Sequence, residues 1–424
     1  MIQAPKGTKD CLPEQSYQWQ HIEEVMRRVA AAGGYREIRT PVFEHTELFL
    51  RGVGDTTDIV QKEMYTFLDK GERSITLKPE GTAGAARAMV EGKLYAGALP
   101  VKMYYLNNPI FRYENPQHGR LREHHQFGME CFGAKEPTAD AELIGLLLQM
   151  LAELGLDDLV VHINSIGCPS CRPQYHEKLQ AFLKESFDGL CDNCKDRFDR
   201  NPLRALDCKE TGCKRIVRDA PVMLDMLCAE CGAHFTQLQE LLTVAGIRYK
   251  IDPHIVRGLD YYTKTVFEII MQGAREGLAL CGGGRYDGLV EQIGGPALAG
   301  VGFGIGMERI LMELERNSIQ IPEPTRCDVF VATIDPTVTA AAFALTAQLR
   351  SHNIKADMEH TGRNLKGQFK FANKLGVKAL VMVGGEEMTR GMVKLRDMHS
   401  GEEWEVPQDE AVVRIVQRVR QEEK

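Results

Sequence analysis

The sequence predicts an α+β fold over residues 1–325, built on a mostly antiparallel sheet and interrupted by a helical insertion at about 168–248, with a small α/β domain over 326–424. Three observations predict it. Strand-like runs recur at 75–78, 103–112, 122–132, 158–164, 266–271 and 278–281, with helical periodicity at 139–154, and strands grouped with helices to one side give an α+β layer arrangement. Between Cys168 and about Arg248 the strand signal stops, helical patterns replace it, and eight of the chain's 12 cysteines lie there. After the two-proline linker SIQIPEPTRCD, from Cys327 onward, β and α patterns alternate, as in a largely parallel sheet.

Taken in order, residues 14–32 set Trp19, Ile22, Val25, Met26 and Val29 at helical spacing and run into Gly33-Gly34, where a helix stops. The following YREIRTPVFEHTELF reads as extended. Pro41 removes a ladder donor from it and so places the strand at an edge or contact surface. Lys78-Pro79-Glu80-Gly81-Thr82 ends a short strand and opens an alanine-rich helix. It sets a carboxylate (Glu80) beside a hydroxyl (Thr82), a pair suited to an α-ammonium; the same residue types also favour an ordinary helix N-terminus.

The stretch FRYENPQHGRLREHHQFGME, Phe111–Glu130, reads as the end of one strand, a turn marked by Pro116 and Gly119, and a second strand. Period two puts Phe127 and Met129 on one face and Gln126, Gly128 and Glu130 on the other. With Arg112, that second face offers a cation for a phosphate and acceptors for an ammonium or ring N–H. The bland reading is a solvated hairpin laced with surface ion pairs. Further on, Arg257 in HIVRGLDYYT is either half of a buried pair with Asp260 or a fixed cation for a bound carboxylate or phosphate oxygen. CGGGRYDGL, Cys281–Leu289, has three glycines that let backbone approach a ligand, with Tyr286 as a pocket wall. Gly302–Arg309, GFGIGMER, is a glycine-rich strand entering a helix with an arginine in its first turns. Neither glycine spacing is that of a dinucleotide fold or P-loop.

Composition narrows the class. With 424 residues and 43% hydrophobic content the chain should bury two or three cores. No apolar run approaches the roughly 20 residues of a membrane helix, and MIQAPKGTKD lacks the charged-then-apolar order of a leader, so the expectation is a cytoplasmic protein without a membrane partner. Net charge −7 argues against a generic polyanion binder. A local reversal lies at Arg363, Lys366, Lys370, Lys374, Lys378, Arg390, Lys394 and Arg396, with Phe369 and Phe371 interleaved, which suits an RNA-facing surface or a solvated helix face. Cys168-x2-Cys171 and Cys191-x2-Cys194, 19 residues apart, fit a four-thiolate zinc site, with Cys208, Cys213, Cys228 and Cys231 able to supply another; reduced, half-buried thiols are the alternative.

Phe111-Arg112-x-Glu114 with Arg120 is similar to the second motif of class II aminoacyl-tRNA synthetases, Gly302–Arg309 to their third, and the long helix with its proline-bearing strand to their first, which builds a homodimer interface. RGLDYYT and CGGGRYDGL resemble the histidyl-tRNA synthetase family specifically, and the resemblance runs from Gly7-Thr8-Lys9-Asp10 into the C-terminal domain. It implies an anticodon-binding role for 326–424, histidine tRNA as partner, and a two-step reaction: L-histidine attacks ATP, which carries Mg²⁺, to give histidyl-adenylate, and the histidyl group then passes to the 3′ end of the tRNA. By motif, Arg112 would hold the α-phosphate, Arg120 and Arg309 the outer phosphates, with Glu114 also in the ATP site. Glu80, Thr82 and Gln126 would hold the α-ammonium, Glu130 and Tyr262 the imidazole nitrogens, while Tyr261 and Tyr286 line the pocket. Arg257 would lie between the carboxylate and the α-phosphate, where many relatives use a metal. Asn115 departs from the pattern, standing where many members carry a basic residue at the tRNA acceptor end; Gln117 and His118 remain as polar candidates. Two rivals are a catalytically silent regulatory subunit of ATP phosphoribosyltransferase, which typically lacks the C-terminal domain and phosphate-binding arginines, and a zinc-based nucleic-acid module, which leaves Arg112, Arg257 and Arg309 unexplained.

Overall fold

Pro13 opens helix α1 (Pro13–Ala32), whose Ile22, Val25, Met26, Val29 and Ala30 form the buried stripe expected from their spacing. The stretch 35–49 is not one extended segment. Strands β1 (Arg36–Glu37) and β2 (Phe43–His45) flank Pro41, and helix α2 (Thr46–Val53) begins where a strand was expected to continue. The cause is a change of period: Phe49 and Val53, one helical turn apart, are both fully buried.

The computed structural model describes residues 1–54, 57–116, 119–208, 210–271 and 279–421, and the chain divides into two units, Met1–Ile321 and Pro322–Lys424. In the first, β3 (Tyr65–Leu68) and β4 (Ser74–Leu77) join β2 in a three-stranded sheet ordered β2-β4-β3. Helix α3 (Thr82–Glu91), the hairpin β5 (Val101–Phe111) and β6 (Glu123–Phe132), helix α4 (Pro137–Glu153) and β7 (Leu159–Ser165) follow. The insertion is helical: α5 (Arg172–Glu185), α6 (Asp192–Arg197), α7 (Thr211–Val217) and α8 (Ala229–Val244). Strands β8 (Tyr249–Ile251), β9 (Thr263–Met271) and β10 (Cys281–Arg285), helix α9 (Leu289–Gln292), strand β11 (Gly300–Gly306) and helix α10 (Met307–Arg316) complete the unit.

Eight strands form one sheet ordered β1-β5-β6-β11-β10-β9-β7-β8. Only its two outer pairings, β1 with β5 and β7 with β8, are parallel; the inner ones are antiparallel. One face is dry: Phe127, Met129, Phe267, Ile269, Phe303 and Ile305 pack against α1, α4, α8 and α10. Alternation therefore turns Gln126, Gly128, Glu130, Glu268, Gly282, Gly302 and Gly304 to the other face. That face carries the site.

The second unit contains β12 (Val329–Thr333), α11 (Thr339–Ser351), β13 (Ala356–Met358), α12 (Leu365–Leu375), β14 (Ala379–Val383), α13 (Gly385–Thr389), β15 (Met392–Asp397), β16 (Glu403–Pro407) and α14 (Ala411–Gln421). Its sheet, β13-β12-β14-β15-β16, is parallel only in its first three strands. The expectation of a largely parallel sheet missed the tight connection around Gly401, which has room only for an antiparallel return. The basic stretch 363–396 is likewise not one positive surface. Lys378 pairs with Asp328, Arg390 with Glu405, Lys394 and Arg396 with Glu403, and Arg363 with Glu359. Phe371 and Phe369 lie under the guanidiniums of Arg363 and Arg396, at 4.1 and 5.5 Å. Lys366, Lys370 and Lys374 remain exposed at four-residue spacing on α12.

Candidate active site

The turn of the β5–β6 hairpin carries Pro116 and Gly119, the latter at φ +76°; Gln117 and His118 lie outside the described residues. Just past β5, Arg112 Nε donates to the Pro79 carbonyl at 2.9 Å, which fastens the hairpin to the Glu80–Thr82 segment. Arg120 reaches Glu114 at 3.8 Å. Arg309, in the first turn of α10, donates to the Ala279 carbonyl at 2.7 Å. Burial, then the positive fields of Arg120 and Arg112, lower its pKa against the pull of Glu114, so three guanidiniums converge on one region. His124 sits among them, held neutral with a pKa of about 3 by burial, Arg112 and Arg309.

Beside this cationic region lies an acidic one. Glu80 accepts the N–H groups of Thr82 at 2.8 Å and Ala83 at 2.7 Å, so it caps α3 as its helix-start position allows. It also accepts the Tyr261 hydroxyl at 3.3 Å. Glu130 is fully buried and accepts three hydroxyls: Thr82 at 2.7 Å, Tyr105 at 3.1 Å, and Tyr286. Burial pushes its pKa up to about 8, and burial raises Glu80 too. Neither carboxyl pairs with a cation among the described residues. Tyr261, Tyr262 and Tyr286 form an aromatic wall, with ring centroids 4.8 to 6.5 Å apart. Gln126 reaches the edge of this group, 3.5 Å from the Tyr105 hydroxyl.

Arg257 is not paired with Asp260. Its Nη1 donates to Glu268 at 2.6 Å and its guanidinium stands 5.7 Å from the Tyr262 ring centre. Asp260 instead accepts Arg204 Nη2 at 2.6 Å and Asn201 at 3.0 Å, both from the insertion. The glycines of β10 and β11 also make room within the chain itself. A Cβ at Gly282 would lie 2.3 Å from Arg257, and one at Gly302 would lie 1.8 Å from Glu130, so they clear the sheet for the chain's own side chains.

Residues 7–310 match the family model described as histidyl-tRNA synthetase, and residues 328–418 the one described as anticodon binding domain. A histidine–tRNA ligase of Thermoanaerobacter pseudethanolicus is 54% identical over 98% of this chain and 99% of its own length. One from Clostridium perfringens is 52% identical with the same coverage. The chain belongs to the histidyl-tRNA synthetase family. The crystal structure of apo histidyl-tRNA synthetase from S. aureus, 37% identical, superposes with a TM-score of 0.84 over 98% of this chain and all of that one. As a member of this class II family the chain is a histidine–tRNA ligase, with ATP and its Mg²⁺ as co-substrate.

The structure therefore gathers Glu80, Thr82, Gln126, Glu130, Tyr261, Tyr262, Tyr286 and Arg257 in one group, and Arg112, Glu114, Arg120 and Arg309 beside it. It does not gather the four thiolates Cys168, Cys171, Cys191 and Cys194. Cys168 and Cys171 meet Cys228 and Cys231, whereas Cys191 and Cys194 meet Cys208 and Cys213. Helix α5 is the reason: its 14 residues between the two pairs span about 21 Å. Sequence reasoning also missed Tyr105, Glu268, His124 and the buttressing Arg204. The first two left a signal, since Tyr104-Tyr105 puts one tyrosine on each face of a strand and Glu268 is a lone charge in TVFEII.

Proposed function

We propose that this site joins L-histidine to ATP as histidyl-adenylate and passes the histidyl group to the 3′ end of histidine tRNA, with recognition divided between its two halves. The observation that carries the division is the acidic pocket: two buried carboxyls, Glu80 held by two backbone N–H groups and a hydroxyl and Glu130 by three hydroxyls, neither ion-paired to a cation among the described residues, next to three converging arginines. A cation and a ring N–H suit the first half; a polyphosphate suits the second. In this reading Glu80, Thr82 and Gln126 take the α-ammonium, Glu130 and Tyr262 the ring nitrogens, and Tyr261 and Tyr286 the flanks of the imidazole. An analogue lacking those nitrogens leaves buried polar groups unpaired, which rejects it by on the order of 10⁴.

Arg112 binds the α-phosphate, Arg120 and Arg309 the outer phosphates, and Glu114 holds Arg120 in place. Arg257, steadied by Glu268, lies between the histidine carboxylate and the α-phosphate and offsets the charge that builds on phosphorus. No protein nucleophile is needed: the histidine carboxylate attacks the α-phosphorus, pyrophosphate leaves, and catalysis rests on alignment and fixed cations.

We assign anticodon contact to the second unit, with Lys366, Lys370 and Lys374 as its exposed cations, and a homodimer to the first, where Val42, Phe43 and Leu50 are exposed apolar residues beside Pro41. No helix among the described residues is long and apolar enough to cross a membrane, and we assign the enzyme to the cytoplasm as the compartment of its tRNA substrate. Histidine-dependent exchange of pyrophosphate into ATP, followed by charging of histidine tRNA, tests the reading. A chain that binds histidine yet supports no exchange would be a regulatory paralogue instead.

A further inference from the structure

We propose that the insertion is organised by two separate zinc ions in a nested arrangement, one set of ligands lying between the two halves of the other. Cys168, Cys171, Cys228 and Cys231 hold one, and Cys191, Cys194, Cys208 and Cys213 hold the other. The ligand atoms of each set lie within 4.8 Å of one another. A tetrahedral ion with Zn–S of about 2.3 Å sets its sulfurs about 3.8 Å apart. Cys168 Sγ lies 3.7 Å from Cys171 Sγ and 3.9 Å from Cys228 Sγ, and Cys191 Sγ lies 3.7 Å from Cys208 Sγ. These separations are far longer than the ~2.05 Å of a disulfide, and two independent convergences of four thiols are not what apolar packing produces.

Outer-sphere groups point the same way. The Cys228 N–H donates to Cys171 Sγ at 3.2 Å, and the Cys191 N–H donates to Cys213 Sγ at 3.2 Å, as backbone amides do when they orient a metal-bound thiolate. In each set two cysteines are buried and two half-buried, leaving an entry path for the ion. Arg172 follows Cys171 in the chain and lines one cavity with Cys168, which brings a guanidinium beside the first set to offset part of the excess negative charge of a tetrathiolate. The segment also needs such support. From Cys168 to Cys231 it spans only 64 residues, and its core sets the cysteines among Tyr175, Leu179, Leu183, Leu190, Val217 and Met223. A core that small is marginal without a metal or cross-link.

The first set closes the insertion on itself, joining the residues after β7 to the start of α8. From it Arg172 donates to the Tyr262 carbonyl, and Lys264 Nζ reaches Glu230 at 2.8 Å. The ion thereby fixes a point behind the Arg257–Tyr262 loop. Loading takes a proton from each of four thiols per ion and changes no oxidation state.

The test uses the full-length chain purified without chelators. Elemental analysis should find two zinc ions per chain, and X-ray absorption should find four sulfurs around each. One ion or none, iron with sulfide, or nitrogen and oxygen ligands would overturn the proposal. Paired substitutions read which cysteines share an ion. Cys168→Ser with Cys228→Ser should remove one ion, and Cys168→Ser with Cys191→Ser should remove both. The opposite pattern would mean that sequence-adjacent pairs share an ion. If these variants fail to fold, cobalt titrated into metal-stripped wild type should give thiolate charge-transfer and tetrahedral d–d bands that saturate at two equivalents; saturation at one would overturn it.

Discussion

Replacing Arg257 by alanine should slow adenylate formation by roughly 10²- to 10³-fold, the usual cost of losing one fixed donor aimed at transition-state charge. The structure adds a second effect to be separated from the first. Arg257 Nη1 lies 2.6 Å from Glu268, whose pKa burial already raises, and removing the guanidinium strands that carboxyl. An unpaired group of this kind costs about 1–3 kcal/mol of stability. The pair is about a quarter exposed, so the lower end applies. A double variant, Arg257→Ala with Glu268→Gln, removes the stranded charge and should recover the stability while leaving the reaction slow. Single-turnover release of pyrophosphate from ATP with saturating histidine measures the chemistry, and thermal denaturation measures the fold. A rate within about threefold of wild type, or recovery of rate along with stability in the double variant, would refute a chemical role.

Glu130→Gln should weaken histidine binding and change the pH dependence of stability. In the folded chain Glu130 keeps its proton up to about pH 8, whereas in the unfolded chain it ionises near the ordinary carboxylate value of about 4.3. Wild-type stability from this group is full below that lower value and is lost as pH rises toward 8. The melting temperature of Glu130→Gln relative to wild type should therefore climb between pH 5 and pH 8, and a constant difference would contradict the buried neutral carboxyl. Arg309→Ala should raise the KM for ATP roughly 10- to 100-fold with little change in the KM for histidine, the cost of a charge-assisted contact; steady-state exchange assays with each substrate varied decide it. Arg285→Ala should destabilise the fold by on the order of 3–5 kcal/mol, because Asp140, fully buried and bonded to Arg285 at 2.6 Å, is left without its cation; a calorimetric scan with an unchanged melting temperature would rule this out. Stripping the thiolate-bound metal should raise the KM for histidine several-fold and that for ATP less, since the Cys168 set backs the Arg257–Tyr262 loop; equal effects on both would disconnect the two.

Much of the site was legible before any coordinates, because its parts are local. Glu80 with Thr82, Arg112 with Glu114, Gln126 with Glu130, and Arg257 with Tyr261 and Tyr262 lie a few residues apart, and strand alternation alone sorts Gln126 and Glu130 from Phe127 and Met129. The α2 helix was misread where Pro41 had announced a strand, since the change from period two to period 3.6 rests on only Phe49 and Val53. The arginine of CGGGRYDGL was legible as a residue and not as a role. A bulge between Gly284 and Arg285 in the pairing with β9 accompanies its turn away from the ligand face, onto Asp140 and the Ala134 and Glu136 carbonyls.

Read from the chain alone, the succession of elements, the synthetase motifs and the presence of a cysteine-rich insertion were all available, because each is written in neighbouring residues. Only the tertiary structure decided which partner each long-range group takes: Glu268 rather than Asp260 for Arg257, Arg204 for Asp260, three hydroxyls for Glu130, and Cys228 with Cys231 rather than Cys191 with Cys194 for the first thiolate pair. Spacing along a chain constrains distances across a turn or two of helix. Beyond that, any of several charges or thiols can close the loop at similar entropic cost, and packing of α5 and the sheet selects among them.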